Sequence, residues 1–319
     1  MASKTTASGN PELTVVLAES SAGAPRKGSE LGPDAILQSG LQSGLLGHLQ
    51  GHFGKVHVCK LSSRSGASEE DPDYAKMKRP RTVSRTTQSI HDLVYSHIQQ
   101  GRLVLTLGGD HSNAIGTLTG TTGALHLNHG QRPAVICVDA HVSINTPDVS
   151  PSGNIHGMPL AFATGLARCQ EKGIFDWIRQ DHLIDMKKLV YIGTRDIDDE
   201  EKTLIEKNEI KVFGMDDIQR HGIDSIITMA LEYIGDQTPI HLSCDIDALD
   251  PEWTMSAGHL VPGGLSLQQG VSVARRIHET GNLVAMDLVE VNPTINVDGV
   301  DQTISSACAL ITGALGLSA

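Results

Sequence analysis

Aromatic side chains are scarce: four Phe, four Tyr and two Trp make up 3% of the 319 residues. Positive charge is short as well, with 25 basic residues against 37 acidic ones and a net charge of −12. A chain poor in both lacks the features that hold nucleic acid. The five cysteines, Cys59, Cys137, Cys169, Cys244 and Cys308, form no CxxC pair. They read as core packing in a reducing compartment, the cytoplasm, and not as a disulfide framework. No apolar run reaches the ~18 residues that span a bilayer. Residues 1–12 are small and polar and carry neither the apolar segment of a secretory signal nor an Arg-rich transit pattern. They are expected to be a disordered tail, with one domain over 13–319. No GxxxxGK[ST] loop occurs, so nucleotide phosphate binding has no support.

What the chain does contain is a set of short apolar runs that break into polar residues. Ala134 to Val138 is uniformly apolar, as in a strand buried on both faces of a parallel sheet. It breaks into Asp139, His141, Ser143 and Asn145. Strand 102–107 runs into Gly108-Gly109-Asp110-His111-Ser112, and strand 239–244 into Asp245-Ile246-Asp247. In an open α/β sheet, functional groups gather just beyond the carboxyl ends of strands. Residues two apart in extended chain point the same way, which pairs Asp139 with His141 and Asp245 with Asp247. A lone strand-end Asp is most often a turn or helix cap. Three strand ends of one chemical kind point instead to a metal site: His111, Asp139, His141, Asp245 and Asp247 form an oxygen–nitrogen set suited to Mn, Zn, Fe or Ni.

The remaining elements follow from periodicity and breakers. Strands are expected at 13–18, 55–59, 188–193, 210–213 and 282–289. A helix opens near Pro33, with Ile36, Leu37, Leu41, Leu45 and Leu46 at helical spacing, and others span 83–100, 223–234, 265–280 and 301–316, with one more after Ser112. Residues 61–80 are a polar surface loop and the strongest candidate for internal disorder. The loop at 146–157, dense in Pro, Ser, Gly and Asn, is where binding groups on a rigid scaffold concentrate. About eight strands alternating with helices make a mostly parallel sheet covered on both faces.

The motifs Gly108-Gly109-Asp110-His111-Ser112, the run from Asp139 to Pro147, Ser152-Gly153-Asn154-Ile155-His156-Gly157, the run from Asp245 to Pro251, and Glu290-Val291-Asn292-Pro293 together resemble the signatures of the arginase family of ureohydrolases. The resemblance runs from Gly28 to about Leu315. It implies the arginase-type three-layer α/β fold, a homotrimer or hexamer, and a manganese-dependent hydrolase that splits the guanidinium of L-arginine or a close analogue into urea and ornithine. By resemblance, one Mn2+ is held by Asp139, His141, Asp245 and Asp247. A second is held by His111 and the bridging Asp139 and Asp245. Glu290 faces the guanidinium and His156 shuttles protons. Asn145, Ser150 and Ser152 bind the α-carboxylate of the amino acid, and Asp198 and Glu201 its α-amino group.

Two positions depart from the family pattern. Asp-x-His-x-Asp ends here in Ser143, which removes a carboxylate from the more exposed metal position. One tight ion is therefore expected, with the second weak or absent. His259-Leu260 stands where the family has Thr-Pro, close to the guanidinium. Hydrolysis of a guanidinium needs an activated water, an acid for the leaving amine and a carboxylate to hold the cation. Apart from Ser143, all of these are present. Ser143 keeps two further readings open: a non-catalytic protein that binds an amino acid or an arginase-family partner, and a single-metal enzyme of altered chemistry in which His259 takes part.

Overall fold

The computed structural model describes residues 11–38, 44–61 and 70–317. Strand β1 (Glu12–Ala18) leads to α1 (Gly32–Gln38), α2 (Gly44–His52) and β2 (Lys55–Leu61). Next come α3 (Pro80–Gln99), β3 (Leu103–Gly108), α4 (Ala114–His129) and β4 (Ala134–Val138). The chain continues through α5 (Pro159–Thr164), β5 (Leu189–Thr194), α6 (Asp199–Asn208), β6 (Lys211–Gly214), α7 (Met215–His221) and α8 (Ile223–Ile234). It closes with β7 (Ile240–Asp245), α9 (Leu267–Glu279), β8 (Leu283–Val289) and α10 (Val300–Leu315).

The eight strands form one sheet in the order β2-β1-β3-β8-β7-β4-β5-β6. Every pairing is parallel, as the unbroken apolar runs require. Alternate residues feed opposite faces. Leu105, Leu107, Ile136, Val138, Leu242 and Leu288 point into one core under α1, α2, α8, α9 and α10. Val135, Cys137, Tyr191, Val104 and Ala285 point into the other, under α3, α4 and α5. The result is the three-layer architecture expected. Among the described residues no helix is long and apolar enough to cross a membrane.

Register is what positions the site. Leu107, Leu288, Cys244, Val138 and Ile192 pair in one row across five neighbouring strands. The turns that follow these residues therefore emerge level, side by side. Gly109 lies in one of them for reasons of space: a Cβ there would meet the Ser20 carbonyl at 1.9 Å. Its amide donates to the Ala18 carbonyl, and its own carbonyl accepts from the Glu290 amide at 2.7 Å.

Two expectations are corrected. The single helical run from Pro33 to Leu46 is two helices, α1 and α2, with residues 39–43 outside the described residues. The polar stretch 61–80 is not all loop surface. Residues 62–69 lie outside the described residues, but Met77 is fully buried and the Lys78 amide donates to the Gly153 carbonyl, so this stretch packs under the 146–157 loop. The expected tail, 1–12, also falls mostly outside the described residues, although Glu12 already belongs to β1.

Helices α3 and α4 pack closely because α4 presents glycines; a Cβ on Gly120 would stand 2.8 Å from the His91 carbonyl. Beside this seam His91 Nε2 lies 2.9 Å from His182 Nδ1, with the rings stacked at 4.9 Å. Burial, and then the His91 ring, pushes His182 down to about 4, and burial lowers His91 too. Between the ordinary histidine value of about 6.5 and pH 4 the unfolded chain binds more protons than the folded pair. Stability of the metal-free chain should therefore fall by about 1–3 kcal/mol as pH drops through that window. In denaturant titrations His182→Gln should flatten the dependence; an unchanged slope would remove the pair as its source.

Candidate metal centre

Each strand-end aspartate divides its two oxygens between backbone and pocket. Asp139 Oδ1 accepts the His141 amide at 2.7 Å, Asp245 Oδ1 accepts the Asp247 amide at 3.0 Å, and Asp247 Oδ1 accepts the Ala140 amide at 3.2 Å. The Oδ2 atoms turn inward. Those of Asp139 and Asp245 lie 3.3 and 3.4 Å from His111 Nδ1, and that of Asp247 lies 3.1 Å from His141 Nδ1. Capping and presenting an oxygen are thus two uses of one side chain. Two groups of ligand atoms converge, His111 with Asp139 and Asp245, and His141 with Asp139 and Asp247.

These residues fit a divalent cation. Neighbouring ligands held about 2.1–2.2 Å from one ion stand about 3.0–3.6 Å apart, which is the spacing observed. Asp139 Oδ2, the oxygen turned toward His111 Nδ1, is buried without a hydrogen-bond partner, as suits a group that ligates an ion. The charge balance agrees. Burial, and then Asp247, Asp139 and Glu290, push Asp245 well above the ordinary carboxylate range. Burial opposes a charge on His141, yet Asp139 and Asp247 raise it to about 11. In the metal-free chain a proton on His141 offsets part of the anionic charge that a cation would otherwise balance.

Ser143 adopts a left-handed φ of 48° and is buried, with its Oγ 3.3 Å from His111 Nδ1. A neutral hydroxyl therefore stands beside the His111 group. Glu290 is the other non-glycine residue of the pocket held at positive φ, 69°. That turn carries its Oε1 back to the His111 amide at 2.8 Å and to 3.3 Å from His156 Nδ1. Gly258 makes room for the other oxygen, which would lie 2.9 Å from a Cβ there. Burial opposes ionisation of Glu290, but His156 and the His111 amide hold its carboxyl below the usual range. Burial likewise opposes a charge on His156, and Glu290 raises it. The two form a part-buried carboxylate–imidazole pair.

Every site residue anticipated from the sequence lines one cavity of about 270 Å³, except Asp139, which lies beneath its floor. The residues differ in what they still offer. Asn145 Nδ2 donates to Asp198 Oδ2 at 3.0 Å, and its Oδ1 is buried without a partner. Ser150 and Ser152 accept the Gly153 and Asn154 amides of their own loop. Glu201 accepts the Ile144 amide at 3.0 Å and the Asp198 amide at 3.3 Å, the latter as part of the capping box that starts α6. Burial pushes its carboxyl up to about 7. It holds the loop at Ser143 to α6 as well as facing the cavity. His259 is exposed at the rim, its ring 5.1 Å from that of His141.

Three residues escaped the sequence reading. Asp110, fully buried, accepts the Ser112 amide at 2.8 Å and the Gly23 amide at 2.8 Å, tying the turn after β3 to the loop after β1. Asp196 lies with its Oδ2 3.6 Å from His141 Nε2. Arg195 donates to the carbonyls of Gly193, Asp247, Ala248, Leu249 and Val261 and so clamps the His259 loop to the ends of β5 and β7. For Asp110 and Asp196 the signal was available, since each is a strand-end acid of the kind already singled out. For Arg195 there was none, because carbonyl partners leave no mark on the sequence.

The comparisons with known proteins bear on the fold and the family. The model of the arginase family matches residues 12–316. The arginase of Coccidioides immitis is 50% identical over 308 residues, covering 96% of this chain and 94% of the relative. Among solved structures, the arginase of Bacillus caldovelox superposes with a TM-score of 0.84 at 29% identity, covering 97% of this chain and 99% of that one. The arginase of Entamoeba histolytica, in complex with L-ornithine, gives 0.84 at 28% over the same shares. Level strand ends bearing paired acids and histidines, and a likeness that extends over nearly the whole length, place this chain in the arginase family.

Proposed function

We propose that the chain is a metal-dependent amidinohydrolase that cleaves the guanidinium of L-arginine, or a close amino-acid analogue, to urea and ornithine. The observation that carries this reading is the set of inward Oδ2 atoms and imidazoles in one pocket with the Glu290–His156 pair. Asp139, His141, Asp245 and Asp247 would hold one divalent ion, Mn2+ by the oxygen-rich donor set. His111, with Asp139 and Asp245, would hold a second more weakly, because Ser143 offers no charge. A divalent cation there supplies Lewis acidity that makes water a nucleophile near neutral pH. The protein's own groups do the rest. Glu290, anionic and buried, pairs with the guanidinium and orients its carbon over the floor. His156, which Glu290 biases toward its protonated form, would protonate the departing amine. Asn145 and Asp198, with Ser150, Ser152 and Glu201 around them, address the α-carboxylate and α-amino groups of the substrate.

The five free cysteines support a reducing compartment such as the cytoplasm. Assembly as a homotrimer or hexamer is proposed on the family alone. The cavity is sized and lined for a small molecule, the guanidino amino acid being its partner.

Three outcomes are expected. Manganese loading of metal-free protein, followed by elemental analysis, should yield one tightly held ion per chain and a second only at high free metal; two full-occupancy ions at micromolar metal would count against the weakened position. In calorimetry L-arginine should bind at least tenfold more tightly than agmatine, because a ligand without the carboxylate leaves Asn145 and its neighbours unpaired at about 1–3 kcal/mol each; equal binding would reject the amino-acid filter. Ser143→Asp should strengthen the second ion roughly 10–100-fold, the scale on which metal affinity responds to changes around a site, and raise urea release. Asp suits the left-handed backbone at that position. Adding Glu290→Gln should abolish the gain. Two ions without more urea would place the limit elsewhere in the pocket.

A further inference from the structure

His141 faces two ways. Its Nδ1 points inward to Asp247 Oδ2 at 3.1 Å, while its Nε2 points to the rim, 3.6 Å from Asp196 Oδ2 and buried without a hydrogen-bond partner. The His259 ring stands edge-on to it, with centroids 5.1 Å apart and planes at 81°. One ligand atom each from His141, Asp196 and His259 lies within 4.8 Å of the others. The backbone fixes two of the three: the Asp196 amide donates to the Ala140 carbonyl at 3.1 Å, and the Arg195 clamp on the Val261 carbonyl holds the loop that carries His259.

The geometry points to a second class of cation position at the mouth of the pocket, formed by His141, Asp196 and His259 and selective for zinc-like ions. The donor set is the argument. The floor offers mostly carboxylate oxygen, which suits Mn2+, whereas the rim offers two imidazoles and one carboxylate, which suits Zn2+. Three protein ligands on an open rim leave a fourth position for water, the usual arrangement of a non-structural zinc. Neutral imidazole has one lone pair, on one nitrogen or the other. When His141 uses Nε2 for the rim ion, its Nδ1 bears hydrogen and no longer serves the floor. The two positions therefore compete for His141, and zinc at the rim would weaken manganese at the floor. This last step rests on the floor position proposed above; the rim position itself does not.

Zinc X-ray absorption reads the difference directly, because the rim carries two imidazoles and each floor group only one. Metal-free full-length protein given one equivalent of Zn2+ should show two imidazole nitrogens per zinc. His259→Ala should show one, and both His259→Ala and Asp196→Asn should bind zinc at least tenfold more weakly in competition with a chromophoric chelator. His259 is exposed, so neither reading depends on refolding a core. One imidazole per zinc in wild type, or an affinity indifferent to His259, would overturn the proposal. An Asp247→Asn arm separates the two readings. Its zinc should keep two imidazoles while its manganese weakens. If manganese is unaffected by Asp247→Asn, the floor reading fails while the rim reading stands on its own zinc signature.

Discussion

Three carboxylates, Asp139, Asp245 and Asp247, lie out of water within reach of one another, and the mouth of the sheet is built to tolerate them. Buried like charges are costly unless each is hydrogen-bonded and the sum is offset. The backbone answers the first requirement, with one amide to one oxygen of each aspartate. It leaves the second in part to His141, whose proton Asp139 and Asp247 hold. Strand register, the tight turns and the glycines that let loops close over one another all serve to bring those amides to the carboxylates.

The same logic accounts for the two strained positions. Ser143 and Glu290 both take left-handed backbone although neither is glycine. Such a conformation persists only where surroundings over-determine it. At Glu290 the Gly109 carbonyl, the His111 amide and the His156 ring do so. At Ser143 the flanking groups are tied down on both sides, Tyr191 to the Val142 carbonyl and Glu201 to the Ile144 amide, while the Ser143 carbonyl accepts the Leu160 amide. The loop is held in this shape by its neighbours and not by the Ser143 side chain alone.

Much of this was legible in the chain because parallel strands buried on both faces announce themselves as apolar runs, and because the residues that follow them carry the chemistry. Val135 to Asp139 and Leu242 to Asp247 needed no structure to be read. Boundaries were harder. Helix α5, all six residues buried, lacks the polar face that periodicity reads, and Met77 sits in a run of charges that looks like solvent-exposed loop yet packs beneath the pocket. Glu201 reads as a ligand-facing acid, and only the fold shows its carboxylate accepting two amides. Arg195 lay furthest from reach, since a guanidinium serving five carbonyls depends on where distant backbone turns, which no local pattern encodes.

That guanidinium has a consequence for how the rim can change. The loop from Gly258 to Val261 is secured through main-chain oxygen, so its position does not depend on which side chains residues 259 and 260 bear. Side chains at the entrance can be exchanged without moving the backbone that carries them, and because His141 faces both the rim and the floor, what stands at 259 bears on the floor as well. His259 and Leu260 are the side chains now mounted on that backbone: the loop sets where a side chain stands at the entrance, and the residue at 259 sets what it presents to His141.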